Sequence, residues 1–330
     1  MRTYRGGVIN LILTRKNIMS SKKELKSTRD GFGEGLLEAG IQNENVVALS
    51  ADLTESTRTN LFAEKFPERF IQVGVAEQNL ASVASGMAAM GKIPFMTSFA
   101  IFSPGRNWEQ IRTTIAYNNS NVKIVGSHAG VVTGPDGGSH QMLEDIALMR
   151  VIPRMTVFSP ADFEEAKQMT LEATKIDGPV YLRLARIKTS ELDKSEFFSS
   201  GGSDPHESFQ AGIIATGHLV EQALEASKEL EEGGITTKIL NLSVIKPLNK
   251  NLILEFAKKS EVLITVEDHQ LAGGMGSAVA ELLIENYPKK IQFVAVRDQF
   301  GQSGTPQELL KHYELDAKAI KKAYYKTSRN

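Results

Sequence analysis

Read for its apolar and polar positions, the chain resolves into short Val-, Ile- and Phe-rich runs separated by longer stretches with helical spacing. In the first half these runs are Val46–Ser50, Phe70–Val75, Pro94–Phe99, Val122–Ser127, Met155–Phe158 and Val180–Leu184. Helical patterns lie between them at Glu77–Met90, Asn107–Tyr117, Leu143–Met149 and Asp162–Thr174, and a first helix is expected to start at Ser20-Ser21-Lys22-Lys23. Strands alternating with helices predict a parallel sheet covered on both faces, with functional residues in the loops at the carboxyl ends of strands. Asp52, Glu77, Phe99, His128 and Arg186 all end or follow a predicted strand, which agrees with one shared site.

The pattern then breaks. Around Ser199-Ser200-Gly201-Gly202-Ser203-Asp204-Pro205 the chain is polar and reads as a linker. A second alternating block follows: Gly212–Thr216, His218–Glu231, Thr236–Leu242, Leu252–Lys258, Glu261–Glu267, Gly276–Glu285, Ile291–Val296 and Glu308–His312, closed by a helix over Asp316–Tyr325. The expected fold class is α/β, with two domains that are each a mostly parallel sheet flanked by helices. The expected boundaries are an N-terminal extension at 1–24, a first domain at 25–190, a linker at 191–209 and a second domain at 210–330.

Composition narrows the function classes. The 330 residues suit two domains of roughly 100 to 200 residues each. With 38 basic against 39 acidic residues there is no overall field to hold nucleic acid or an acidic membrane, so neither is an expected partner. The absence of cysteine excludes thiolate nucleophiles and thiolate metal sites, and it fits a reducing, cytoplasmic setting. No apolar run approaches the roughly 18 residues that span a bilayer. Arg2, Arg5, Arg15 and Lys16 flank the short apolar run Val8–Leu13, but a secretory signal needs a longer run and a small-residue cleavage site. The segment reads as a disordered extension, or as sequence upstream of a start at Met19.

Two motifs carry candidate chemistry. The first is Val73-Gly74-Val75-Ala76-Glu77-Gln78-Asn79, which opens a helix rich in small residues (Ala81, Ser82, Ala84, Ser85, Gly86, Ala88 and Ala89) suited to close subunit contact. A first-turn glutamate is favoured by the helix dipole alone, so Glu77 by itself has an ordinary explanation. The second is the loop His128-Ala129-Gly130 to Gly134-Pro135-Asp136-Gly137-Gly138-Ser139-His140-Gln141, whose glycines allow tight turns against a ligand. A lone loop histidine is ordinarily structural, yet two of them bracketing Gly-Pro-Asp-Gly are poorly explained by packing. No His-x-x-x-His spacing supports a metal site in this chain. Phe99 and Phe102 end the strand at Pro94, where phenylalanines are usually core. Val266-Glu267-Asp268-His269 followed by Gly273-Gly274-Met275-Gly276-Ser277 lacks both the dinucleotide-binding glycine spacing and the Walker lysine, and His269 is left out of the site.

In this order, the two motifs resemble the pyrimidine-binding half of a transketolase, an enzyme that uses thiamine diphosphate. The resemblance runs from about Ser27 to Lys322. It implies that Glu77 is catalytic and bonds a ring nitrogen of the cofactor's aminopyrimidine, with burial holding its carboxyl able to donate. It implies that Phe99 and Phe102 line that ring, Phe102 making the direct stack. Asp136 and His140 would contact sugar hydroxyls, with His140 also catalytic. Arg29, Ser56, His128 and Arg186 would bind substrate, the arginine forks matching phosphate oxygens. Arg183 is read as packing or interface. No Gly-Asp-Gly triplet occurs, so the Mg2+ or Ca2+ and the diphosphate would belong to a separate N-terminal transketolase subunit. The implied assembly is a heterotetramer built on a dimer of this chain, acting on sugar phosphates.

Three other readings are weighed. The beta subunit of a 2-oxo acid dehydrogenase shares the Glu-Gln helix start but generally lacks the Asp-Gly-x-x-His block. A 1-deoxyxylulose-5-phosphate synthase has that block, but usually carries an aspartate-arginine pair in place of His128-Ala129 and is one long chain. An inactive scaffold or regulatory binding module would have no reason to keep Glu77, Asp136, His140 and Arg186 together.

Overall fold

The structure is a computed structural model that describes residues 25–193, 195, 197–199 and 208–328. The expected extension at 1–24 and the polar centre of the linker lie outside the described residues. Strands are β1 (Lys26–Ser27), β2 (Val46–Ser50), β3 (Phe70–Gln72), β4 (Ile93–Phe99), β5 (Lys123–Ser127), β6 (Thr156–Phe158), β7 (Val180–Arg183), β8 (Lys188–Thr189), β9 (Phe209–Ala215), β10 (Thr237–Asn241), β11 (Val244–Lys246), β12 (Ser260–Gln270) and β13 (Ile291–Val296). Helices are α1 (Thr28–Gln42), α2 (Asn60–Lys65), α3 (Glu77–Ala89), α4 (Trp108–Gln110), α5 (Asp145–Arg150), α6 (Phe163–Lys175), α7 (Leu219–Glu232), α8 (Lys250–Lys259), α9 (Met275–Asn286), α10 (Pro306–His312) and α11 (Ala317–Ser328). After α4 the chain widens into a π-helical turn, Ile111–Ala116, and a 3₁₀ segment spans Val131–Asp136.

The first sheet has the order β11-β6-β7-β5-β4-β2-β3 and is parallel except at β11. Because side chains alternate across a strand, β2 serves two cores at once. Val46 and Ala48 pack with Phe32, Leu36, Phe62 and Met169 from α1, α2 and α6. Val47 and Leu49 face the other way, toward Leu80, Ile111 and Met149. That second core continues without a break into Phe256, Leu263, Met275 and Val279 of the C-terminal half. The two halves therefore share apolar surface rather than touching only at their rims.

The second sheet, β10-β9-β12-β13, is wholly parallel. Its outer face is covered by α7, α10 and α11, and α7 buries Leu219, Val220, Ala223, Ala226 and Leu230 at helical spacing. The α/β class with two mostly parallel sheets is what the alternation predicts. Among the described residues no helix is long and apolar enough to cross a membrane.

Helix α2 and the small antiparallel pair β1–β8 were not expected, and two further details depart from the sequence reading. The first described helix starts at Thr28, not near Ser20. Ser27 caps it, its hydroxyl accepting from the Asp30 amide while the Asp30 carboxylate accepts from the Ser27 amide, a reciprocal capping box. This helix packs so closely on α6 that a Cβ at Gly31 would overlap the Phe163 carbonyl. The edge strand β11 was not anticipated. Although it follows β10 in the chain, it leaves the second sheet and pairs antiparallel with β6 of the first.

Candidate active site

Glu77 is the first residue of α3, and no side chain caps that helix at Ala76. Its side chain is 3% exposed. Asn107 donates to the Glu77 carbonyl at 2.9 Å and to Ser103 Oγ at 3.2 Å, tying the helix start to the turn after β4. Glu77 Oε2 lies 3.3 Å from Nη1 of Arg106, whose own side chain is 55% exposed. The Arg106 guanidinium also sits 5.2 Å from the centre of the Phe102 ring, a cation–π contact. The sequence reading missed both Arg106 and Asn107. Their only signal is a position four and five residues beyond Phe102, and nothing in the spacing points back to Glu77.

Four rings form the next layer. Phe99 and Phe102 are near-parallel at 10° with centroids 6.1 Å apart. His128 stacks on Phe99 at 3.8 Å, and His140 meets Phe102 edge-on at 5.6 Å. Phe99 is buried, with one face covered by His128, whereas Phe102 is half-buried and keeps ring surface open.

His128 has a positive φ of 57°, uncommon for a residue with a side chain. Its carbonyl accepts from Thr133 Oγ1 at 2.6 Å, which helps hold that turn. Burial, then the charges of Arg29, Arg186 and Arg58, push its pKa down to about 3, so the imidazole is neutral near pH 7. Arg29 Nη1 is 3.3 Å from His128 Nε2 and can only donate. Nε2 therefore accepts, and the ring proton belongs on Nδ1, which donates to Ser127 Oγ at 2.9 Å.

Beyond His128 the site turns polar. Arg29 Nη1 donates to the Ser56 carbonyl at 3.1 Å, which places Ser56 beside Arg29. Arg29 Nε is buried and has no hydrogen-bond partner among the described residues. Arg186 Nη1 donates to Asp136 Oδ2 at 3.1 Å and to the Thr133 carbonyl at 3.3 Å. All nine residues singled out from sequence thus fall into one contiguous chain of contacts: Glu77 through Arg106 to Phe102, Phe99, His140 and His128, then Arg29 with Ser56, and through Thr133 to Arg186 with Asp136.

The arrangement fits a flat heterocycle at one end and an anion at the other. A buried carboxyl joined through Arg106 to an open aromatic ring suits an aminopyrimidine, and converging arginines with an orphaned Nε suit an anionic group. Among the described residues no group of three or more acidic or histidine side chains could hold a metal ion. The Arg183 left to packing is buried, donating from Nε to Asp145 Oδ2 at 2.9 Å and from Nη2 to the Asp268 carbonyl at 2.7 Å.

Comparison with known proteins supplies the rest. Residues 24–190 match the transketolase pyrimidine-binding domain, and residues 205–320 match the transketolase C-terminal domain. A protein named as a transketolase C-terminal section, from Methanocaldococcus jannaschii, is 45% identical over 302 residues, covering 90% of this chain and 95% of that one. The 6-deoxy-6-sulfo-D-fructose transketolase subunit SqwH of Clostridium sp. is 39% identical over 302 residues, covering 91% of this chain and 94% of its own. Among solved structures, a split-gene transketolase described as an inactive β4 tetramer superposes with a TM-score of 0.81 at 43% identity, covering 91% of this chain and 97% of that one. A buried helix-start glutamate beside paired phenylalanines and a Gly-Asp-His loop, with both domain matches in this order, makes the chain a member of the transketolase family, built from that family's pyrimidine-binding and C-terminal domains.

Proposed function

We propose that this chain is the C-terminal subunit of a two-subunit transketolase, which moves a two-carbon ketol unit from a ketose phosphate to an aldose phosphate. The observation that carries the reading is Glu77, buried at the start of α3 and linked through Arg106 to an aromatic wall that ends in the His128–Arg29 group. When bound, thiamine diphosphate supplies the nucleophilic carbon and electron sink for cleaving and forming the carbon–carbon bond. Glu77 Oε holds a proton toward the pyrimidine ring nitrogen, and Phe102 with Phe99 packs the ring and excludes water. Asp136 and His140 meet sugar hydroxyls. Arg29, Arg186 and neutral His128 receive the anionic end, with Ser56 holding Arg29 in place.

A separate N-terminal subunit carrying Gly-Asp-Gly supplies the Mg2+ or Ca2+ and diphosphate contacts. Self-association is supported by the outer face of α3, where Gln78, Ser82, Gly86 and Ala89 are exposed and mostly small. One relative is named for a sulfonated sugar, 6-deoxy-6-sulfo-D-fructose, which supports a sulfonate as an alternative to phosphate at the anionic end. An arginine-lined end accommodates either.

The test is reconstitution with the product of a reading frame that carries Gly-Asp-Gly and a downstream asparagine. Glu77→Ala is expected to lower turnover by about 10²- to 10⁴-fold, the range for a positioned acid–base group, while the complex still assembles by size-exclusion chromatography. Unchanged turnover would end the assignment. Full activity of this chain alone with added cofactor would overturn the two-subunit arrangement.

A further inference from the structure

Three consecutive charged or polar side chains at the end of β12, Glu267, Asp268 and His269, are all buried, and they point to different tasks. The Glu267 carboxylate accepts from the amides of Met275 at 2.6 Å and Gly276 at 2.8 Å, so the glycine-rich start of α9 is filled by the protein's own carboxyl group. His269 Nε2 accepts from the Ala147 amide at 3.3 Å near the start of α5. Asp268 instead reaches the loop that carries the candidate sugar-binding residues. Its Oδ1 accepts from the Val131 amide at 3.0 Å, and its Oδ2 lies 3.3 Å from His218 Nε2.

Asp268 is 1% exposed, and a buried carboxylate is costly unless its partners are specific. Burial alone would raise its pKa; His218, Arg183 and the Val131 amide together hold it below the usual carboxylate value. The fit is also steric. Gly130 sits at φ +86°, and a Cβ there would overlap the Asp268 carboxylate. The turn between His128 and Val131 is therefore shaped around this side chain. A second tie comes from the same domain: Gln141 Nε2, at the far end of the loop, donates to the Gln302 carbonyl at 2.9 Å as well as to the Val131 carbonyl at 3.0 Å.

We propose that Asp268 is a positioning residue, through which the C-terminal domain holds the His128–Val131 turn and so sets the His128 imidazole against Phe99 and Arg29. The proposal rests on the reading of this loop as sugar-phosphate-binding, and it gives the second domain a part in the site without contact to the reacting atoms.

The experiment compares Asp268→Ala and Asp268→Asn. Asparagine keeps an acceptor for the Val131 amide at nearly the same volume, and alanine removes it. In the reconstituted pair, with xylulose-5-phosphate as donor and ribose-5-phosphate as acceptor, Asp268→Ala should raise KM for the donor on the order of tenfold. KM for thiamine diphosphate and kcat should stay within a few-fold of wild type, and Asp268→Asn should restore the donor KM. A merely structural role would lower kcat with the active fraction and leave KM unchanged. On the isolated chain, amide hydrogen exchange across residues 128–141 should quicken in Asp268→Ala and not in Asp268→Asn.

Unchanged donor KM or unchanged exchange in Asp268→Ala overturns the proposal, as does an equal KM rise in Asp268→Asn. If the alanine variant does not accumulate as folded protein, Asp268→Ser, polar but too short to reach Val131, takes its place with the same expected outcomes. A wild-type pair with no ketol transfer would sink the functional reading instead, and the exchange measurement would still judge the contact.

Discussion

On one side of the loop at residues 128–141, Asp145, Tyr181, Arg183 and Asp268 are each at most 5% exposed. Arg183 bonds both Asp145 and Asp268, and the Tyr181 hydroxyl donates to Asp145 Oδ2 at 2.7 Å. On the other side, the Arg186–Asp136 pair is 40% and 38% exposed, and Arg106 meets Glu77 with most of its own surface in water. The residue types are nearly the same in the two regions. Their roles differ because a buried pair has no water to replace a lost partner, whereas a half-exposed pair can exchange its partner for a ligand at little cost. The buried group reads as framework, and the Arg186–Asp136 pair belongs to the proposed site, where solvent lowers the cost of exchanging one partner for another.

The sharpest way to break this contrast is to remove the cation of the buried group. Arg183→Met leaves the Asp145 carboxylate uncompensated, and unfolding free energy should drop by about 3–5 kcal/mol, read from urea denaturation of the purified chain. A drop no larger than that of a surface arginine would mean that the buried network is not holding the two domains together.

The next effect is tied to pH. His128 has a folded pKa of about 3, below its ordinary value of 6.5, so below pH 6.5 the unfolded chain takes up a proton that the native state refuses. Its contribution to stability is complete above pH 6.5 and is lost progressively as the pH falls toward about 3. At pH 5 the loss should be about 2 kcal/mol. His128→Asn, a residue that tolerates positive φ, should flatten this acid limb in thermal melts taken from pH 7 to pH 5. An identical slope in the variant would show that other groups set it.

The smallest expected change in stability is at the half-exposed pair. Arg186→Met should alter unfolding free energy by no more than about 1 kcal/mol, because solvent screens that ion pair. In the reconstituted enzyme the same variant should still raise the donor KM. A large stability loss there would erase the distinction between the two regions.

Much of this was legible along the chain. Parallel strands buried on both faces leave apolar runs such as Val46–Ser50 and Val180–Leu184, and these need no knowledge of their neighbours to be recognised. The loop from His128 to Gln141 stood out because no helical or strand period accounts for its glycines, aspartate and histidines. The Ser27–Asp30 capping box was also readable, and reading it would have started the first helix at Thr28. Arg106 could not be found in this way, since its partner Glu77 is 29 residues away and Arg106 itself lies in an ordinary turn.

Local spacing therefore determined most of the strands and helices and the α/β class with its two mostly parallel sheets, while the residue set of the site came from the family resemblance. Tertiary structure alone decided that β11 joins the first sheet, that Arg106 sits on Glu77, and that Asp268 reaches 137 residues back to the Val131 amide. The physical reason is the range of the interaction. Periodicity and capping are set by neighbours within a turn or two, whereas an ion pair or an edge-strand pairing depends on which surfaces the folded layers bring face to face.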